Sequence, residues 1–140
     1  MAKTDKTELL ARVPLFQDLS KKELSALAGA AKEVSHPAGA VLATEGEQGL
    51  GFFLIVDGTA KVTVNGRTRR KLGPGDSFGE ISLLDEGPRT ATVTAETAIQ
   101  LLGITSWVFK RVITANPQVA MKMLKTLASI LRSSSREVTG

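Results

Sequence analysis

Residues 78–93 read FGEISLLDEGPRTATV and stand apart from the rest of the chain. The order of residue types predicts a turn, a short helical piece and a loop that enters a strand. Gly79 lets backbone approach a ligand closely. Free N–H groups at the start of the short helix favour an anion, and Arg89 carries the planar fork that binds phosphate oxygens. Thr90 adds a hydroxyl, and Glu80 is an acceptor suited to a sugar hydroxyl. The segment therefore predicts a site for a compact ribose-phosphate ligand.

The sequence around this segment has the pattern of a small β domain. From about residue 35 to 104, glycines separate short β-prone runs. Asn65-Gly66 is the strongest hairpin signal, because both residues tolerate the positive φ of a type I′ turn. Many short strands with turn residues between them predict a small antiparallel barrel or roll. The predicted strands include residues 41–44, 52–56, 59–64, 90–95 and 98–104.

Helices are predicted at both ends of the chain, over residues 1–34 and 105–140. Ser20 and Glu23 form a capping-box pattern, and Asn116-Pro117 is a helix-start pair. The helix that Pro117 opens carries an apolar stripe, which either packs on the roll or forms a dimer seam. We therefore predict one α+β, mainly β domain over residues 1–140: an antiparallel, jelly-roll-like β-roll flanked by N-terminal and C-terminal helices. The stripe consists of Val119, Ala120, Met123, Leu124, Leu127, Ile130 and Leu131.

Composition excludes several classes of function. The chain has no Cys and one His, so disulfides, thiolate catalysis and Cys-ligated or multi-His metal sites are excluded. Aromatic residues make up only 4%, which is low for a protein that stacks single-stranded bases. No Walker A or HExxH sequence is present. We expect no catalytic residues, no metal and no enzymatic activity.

The N-terminal residues and the charge balance bear on location and partners. The first residues are polar, and no apolar run approaches the ~20 residues that span a bilayer. We therefore expect a cytoplasmic protein without a membrane partner. The formal net charge of +4 is compatible with an anionic ligand.

With these elements in place, residues 78–93 resemble the phosphate-binding cassette of the cyclic-nucleotide-binding domain family. The Gly-Glu pair at 79–80 and the Arg-Thr-Ala run at 89–91 occur at the family's spacing. The resemblance covers nearly the whole chain. Its further elements are the entry helix at 13–20 and the roll turns at 37–39, 45–46, 56–58 and 73–76.

The resemblance assigns roles around the phosphate and the ribose. It implies that Glu80 accepts a hydrogen bond from the ribose 2′-hydroxyl and that Arg89 binds the cyclic phosphate. Gly79 allows the close approach of the ligand. The backbone amides of Ile81, Ser82 and Thr90 complete the implied cradle.

Further residues are implied near the purine. Val62 falls where the family packs an apolar side chain near the base, and Ser134 and Ser135 match helix positions whose hydroxyls reach it. The basic run at residues 67–71 has two interpretations. It forms a solvated strand face, or it contacts a nucleic acid or a partner. A separate expectation is that Arg69 or Arg70 approaches the edge of the base.

The resemblance implies a regulatory sensor that binds a cyclic nucleotide, cyclic AMP in preference to cyclic GMP, without a cofactor. Binding is expected to shift the C-terminal helices. The alternatives are a cyclic GMP sensor and the sensory fragment of a larger transcription regulator, enzyme or transporter. A protein partner or a homodimer at the last helix is left open. Direct DNA binding is not expected, since a reading helix would have to follow Gly140.

Overall fold

The computed structural model describes residues 5–49, 51–79 and 87–139, with side chains up to residue 134. The helical N-terminal part ends earlier than residue 34, because the chain from Lys32 onward pairs in a sheet. The capping box is confirmed: Ser20 N donates to Glu23 Oε1 at 2.7 Å, and Glu23 N donates to Ser20 Oγ at 3.2 Å. The helical elements are α1 (Lys6–Ala11), a 3-10 turn (Pro14–Phe16), α2 (Lys21–Ala30), α3 (Ser106–Ala115) and α4 (Pro117–Thr139).

The strands form two four-stranded antiparallel sheets, which confirms the predicted roll. The first sheet has the order β1-β8-β3-β6 and the second the order β2-β7-β4-β5. The predicted strands over 90–95 and 98–104 begin two residues and one residue later, and β8 ends at Thr105, which caps α3. The strands are β1 (Lys32–His36), β2 (Val41–Ala43), β3 (Gly51–Asp57), β4 (Ala60–Val64), β5 (Arg67–Leu72), β6 (Ser77–Phe78), β7 (Thr92–Ala95) and β8 (Ile99–Thr105).

The hairpin between β4 and β5 combines a tight turn with a bulge. Asn65 and Gly66 have φ of 52° and 78°, the positive values that a type I′ turn requires, so this prediction is confirmed. Farther along, Val62 lies opposite Arg70 and Thr63 lies opposite Thr68. Arg69 is therefore the extra residue of a β-bulge.

Two hydrophobic cores lie on opposite sides of the first sheet. Leu102 packs with the helices and Leu101 packs inside the roll, although both belong to β8. On the helical side, the rings of Phe16 and Phe52 meet edge to face with centroids 5.5 Å apart. The apolar run of β8 is thus covered on both faces. The inner face of the second sheet packs against the first sheet inside the roll.

The last helix packs differently from the prediction. Val119 and Met123 are buried in the helical core, whereas Leu124, Ile130 and Leu131 are 59%, 40% and 66% exposed. The stripe is covered only along the part of α4 that packs in this helical core. Packing on the roll is therefore wrong for the exposed half of the stripe.

The contacts between α4 and the N-terminal segment include polar ones. Lys122 Nζ lies 2.7 Å from Glu23 Oε1, and Thr126 Oγ1 donates to Asp18 Oδ2 at 2.5 Å. We call these two contacts the helix seam. Thr126 is buried, and this hydrogen bond satisfies its hydroxyl there. None of the described helices has the length and apolar character needed to cross a membrane.

Candidate functional site

An open cavity of about 310 Å³ lies on the second sheet. Its floor is one cross-strand row in which Ala43 lies opposite Val93, Val93 opposite Val62, and Val62 opposite Arg70. The row crosses all four strands, so the floor is apolar except at the β5 edge. The described lining residues are Ala43, Val62, Arg70, Leu72, Ser77, Phe78, Gly79, Gly87, Pro88, Arg89, Thr90, Ala91 and Val93.

Gly79 and Arg89 meet at the wall of this cavity. Arg89 Nη2 donates to the carbonyl oxygen of Gly51 at 2.9 Å. Gly79 has a φ of +88°, and a Cβ added there would lie 2.5 Å from the same oxygen and would overlap the Arg89 guanidinium. A side chain at position 79 is therefore excluded both by backbone strain and by space. A ligand was predicted to approach Gly79 closely. In the structure, the groups close to Gly79 are the Arg89 guanidinium and the Gly51 carbonyl.

The backbone of Arg89 is held by the segment that follows β2. Arg89 N donates to Glu47 O at 2.7 Å, and Gly46 N donates to Arg89 O at 2.9 Å. Gly49 N donates to Gly87 O at 3.1 Å, close to the bridge between Gln48 and Pro88. We call residues 46–49 and 87–89 with these bonds the cavity wall. These backbone bonds fix the main chain from which the Arg89 side chain extends.

The structure brings some of the predicted site residues together at this cavity. Gly79, Arg89, Thr90 and Val62 all line it. Ser134 is exposed on α4 and is not a lining residue, whereas the side chain of Ser135 lies outside the described part of the chain. Glu80, Ile81 and Ser82 also lie outside the described residues, so their roles stay predictions.

Several contributors to the site were not predicted from the sequence, among them Ala43 and Val93 of the floor. Leu72 lines the cavity from the buried end of β5, and Ala91 lines it just before β7. The Arg-Thr-Ala run contained Ala91, but its side chain had no assigned role. Gly51 contributes a backbone carbonyl, which leaves no signal in residue type.

The charge of the cavity is one-sided. Among the described lining residues, Arg70 and Arg89 are cations and none is a carboxylate. An apolar floor lined by cations fits a ligand that has an apolar body and an anionic group. No cluster of three or more metal-ligating side chains occurs among the described residues.

Comparisons with known proteins agree with this geometry. Residues 33–116 match the family described as Cyclic nucleotide-binding domain. The chain is 38% identical over 119 residues to a cyclic nucleotide-gated potassium channel of Mesorhizobium japonicum, a match that covers 85% of this chain and 33% of the channel. It is 29% identical over 136 residues to a CRP-like cAMP-activated global transcriptional regulator of Mycobacterium tuberculosis, covering 94% of this chain and 61% of the regulator.

A solved structure extends the likeness to three dimensions. The N-terminal domain of a transcriptional regulator from Streptomyces coelicolor A3(2) superposes with a TM-score of 0.85 and 32% identity. That match covers 96% of this chain and 95% of the solved chain. By contrast, the chain spans 33% of the channel and 61% of the mycobacterial regulator.

Proposed function

This chain belongs to the cyclic nucleotide-binding domain family, and we propose that it is a sensor that binds cyclic AMP in preference to cyclic GMP. The observation that carries the proposal is the placement of Arg89 beside Gly79, at the wall of a cavity with an apolar floor. A phosphodiester buried without Arg89 would leave its charge uncompensated. A cation at the wall and an apolar floor suit the two ends of a nucleotide.

The ligand lies with its phosphate at Arg89 and its base over the floor. A charge-assisted hydrogen bond from a guanidinium contributes about 1.5–3 kcal/mol. The backbone amide of Thr90 is adjacent to Arg89, and Gly79 leaves room for the Arg89 guanidinium that would hold the phosphate. Val62 lies in the row that would face the purine. Glu80, Ile81 and Ser82 complete the ribose and phosphate contacts as the family resemblance implies.

The relatives support cyclic AMP and a regulatory role. The name of the mycobacterial regulator states that cAMP activates it, and the name of the channel states that cyclic nucleotides gate it. These two proteins share a nucleotide-responsive domain and differ in output. We therefore assign sensing to this chain and leave its output unassigned. Its cytoplasmic location, lack of catalysis and partner at the last helix stay predictions.

Nucleotide binding shifts the C-terminal helices in our proposal. In the structure, α4 is held to Asp18 and Glu23, and no described residue of α3 or α4 lines the cavity. A ligand that binds better to one placement of these helices favours that placement. The predicted purine contacts of Ser134 and Ser135 require α4 to approach the cavity. Hydrogen exchange over residues 105–136 reports such a shift.

Thermal unfolding with added nucleotide tests the binding proposal. Cyclic AMP at 100-fold over its dissociation constant should raise the free energy of unfolding by about 2.7 kcal/mol. At equal concentration cyclic GMP should give a smaller shift, and linear AMP is the control for a noncyclic phosphate. No shift with either cyclic nucleotide would overturn the proposal. A larger shift with cyclic GMP would overturn the preference for cyclic AMP.

A further inference from the structure

A side-chain hydrogen bond joins the segment at the cavity wall to the hairpin that carries part of the floor. Asn65 N, in the turn between β4 and β5, donates to Glu45 Oε1 at 3.0 Å. Glu45 directly precedes Gly46, the first residue of the wall, and Asn65 directly follows β4, which carries Val62. Because β7 lies between β2 and β4 in the sheet, the Glu45 side chain reaches across the start of β7.

The main chain of Glu45 is itself held in place. Glu45 N donates to Thr92 Oγ1 at 3.0 Å, and Thr92 is the first residue of β7. The next amide along the chain, Gly46 N, donates to Arg89 O at 2.9 Å. The backbone of this half-buried residue is thus bonded to β7, and its carboxylate is bonded to the hairpin.

Glu45 stands behind the cavity and does not border it. It is not among the described lining residues, so it can act on a ligand only through the residues that it holds. The wall on one side of Glu45 carries Arg89, and the hairpin on the other side carries Val62. A hydrogen bond to a carboxylate is stronger than one to a neutral acceptor, which suits a bond that holds an exposed turn such as the one at Asn65.

We propose that Glu45 is a positioning residue for nucleotide binding, which sets the spacing between Arg89 at the wall and Val62 on the floor. This inference rests on the proposed function, which places the phosphate at Arg89 and the base over the floor. A ligand that contacts both ends binds more tightly when the two ends are already correctly spaced, because less ordering remains to be done on binding. Without the bond to Asn65, that ordering would have to accompany nucleotide binding.

Titration calorimetry with cyclic AMP on three variants of Glu45 tests this role. Glu45→Ala removes the acceptor and should weaken binding about fivefold, the size of one hydrogen bond. Glu45→Asp keeps the charge but shortens the side chain by one methylene, so it should also weaken binding. Glu45→Gln keeps an acceptor oxygen at the original reach and should bind nearly as wild type does. Reach and not charge is therefore expected to order the affinities.

A similar bond at the other end of β4 supplies the matched control. Thr97 Oγ1 accepts from Thr59 N at 3.0 Å in the turn that precedes β4, and Thr97 is not among the described lining residues. Thr97→Ala thus also removes a side-chain acceptor from a turn amide. It should leave the affinity for cyclic AMP unchanged, because this bond holds neither the wall nor the end of β4 beside it.

A double-mutant cycle tests whether Glu45 acts through Arg89. Glu45→Ala should weaken binding less in an Arg89→Ala background than in wild type, because the phosphate is then no longer held at the wall. Losses that simply add would overturn the proposed route through Arg89.

The outcomes separate this inference from the function on which it rests. Wild-type affinity in Glu45→Ala or Glu45→Asp, a loss in Glu45→Gln as large as in Glu45→Ala, or an equal loss in Thr97→Ala would overturn the role of Glu45 while cyclic nucleotides still bind. Wild-type protein that binds neither cyclic nucleotide would overturn both proposals. Exchange of the Asn65 amide should be faster in folded Glu45→Ala than in wild type, and equal exchange would overturn the bond itself. Circular dichroism of each variant verifies that the roll is intact.

Discussion

The cavity wall and the helix seam are held by different kinds of bonds. In the wall, Arg89 is fixed through its own amide and carbonyl groups to residues 46–49. In the seam, α4 is held by two side-chain contacts, Lys122 to Glu23 and Thr126 to Asp18. Backbone bonds persist through substitution and changes of pH, whereas side-chain contacts respond to both. A ligand-driven shift of α4 requires a site that stays fixed and a helix whose contacts can change.

Glu23 is the residue on which the seam depends most. Its side chain is only 6% exposed, accepts from the backbone of Ser20, and lies against Lys122 Nζ. The hydrogen bond from Lys122, followed by that from Ser20 N, lowers the pKa of Glu23 from 4.5 to about 2 against the opposing effect of burial. One carboxylate thus caps α2 and holds α4.

The largest effect on the seam is expected from Glu23→Gln. Glutamine can still accept from Ser20 N but has no charge for Lys122, so the free energy of unfolding at pH 7 should fall by about 1–3 kcal/mol. Urea unfolding measures this change. The control is Glu33→Gln, because Glu33 is exposed and its partner Lys6 is 3.9 Å away, and this variant should cost less than about 1 kcal/mol. Equal losses in the two variants would contradict a special role for Glu23.

The same variant tests the pH dependence of the seam. Because the pKa of Glu23 is lowered on folding, its stabilising effect is complete above pH 4.5 and is lost as the pH falls toward 2. The stability difference between wild type and Glu23→Gln should therefore shrink over this interval. A difference that stays constant down to pH 2 would show that the carboxylate charge does not act at the seam.

A smaller effect is expected when nucleotide fills the cavity. Coupling of about 1 kcal/mol between site and helix would change amide exchange over residues 105–136 by about fivefold. The central strand β8, which pairs with both β1 and β3, serves as the internal reference and should show no comparable change. Equal exchange of the helices with and without cyclic AMP would contradict the shift.

Local features of the fold were predictable from the sequence. The capping box at Ser20 and Glu23 and the turn at Asn65-Gly66 depend on residues at most three positions apart. The start of α4 at Pro117 was predicted in the same way. The side chain of Asn116, predicted to cap α4, donates to Val112 O of α3 at 3.0 Å. The pattern predicted the helix boundary correctly, but the Asn116 side chain caps the end of α3 and not the start of α4.

Long-range features were not predictable from the sequence. Lys122 and Glu23 are 99 positions apart, and nothing in the sequence near either residue predicts that they form a pair. An amphipathic stripe does not show how far along the helix other elements pack against it. The exposure of Leu131 was therefore not predicted. Whether Arg69 or Arg70 faces the cavity depends on the β-bulge in β5, which the sequence did not predict. At the site, the resemblance supplied Arg89 and Gly79, whereas the backbone carbonyl of Gly51 had no sequence signal.

The affinity for cyclic AMP of wild type and Arg89→Ala tests the central claim most directly. Loss of the charge-assisted contact should weaken binding by about tenfold to a hundredfold. The roll should survive, because the cavity wall is held by backbone bonds, and Arg69→Ala should bind as wild type does. Unchanged affinity in Arg89→Ala, with circular dichroism showing a folded protein, would contradict the account.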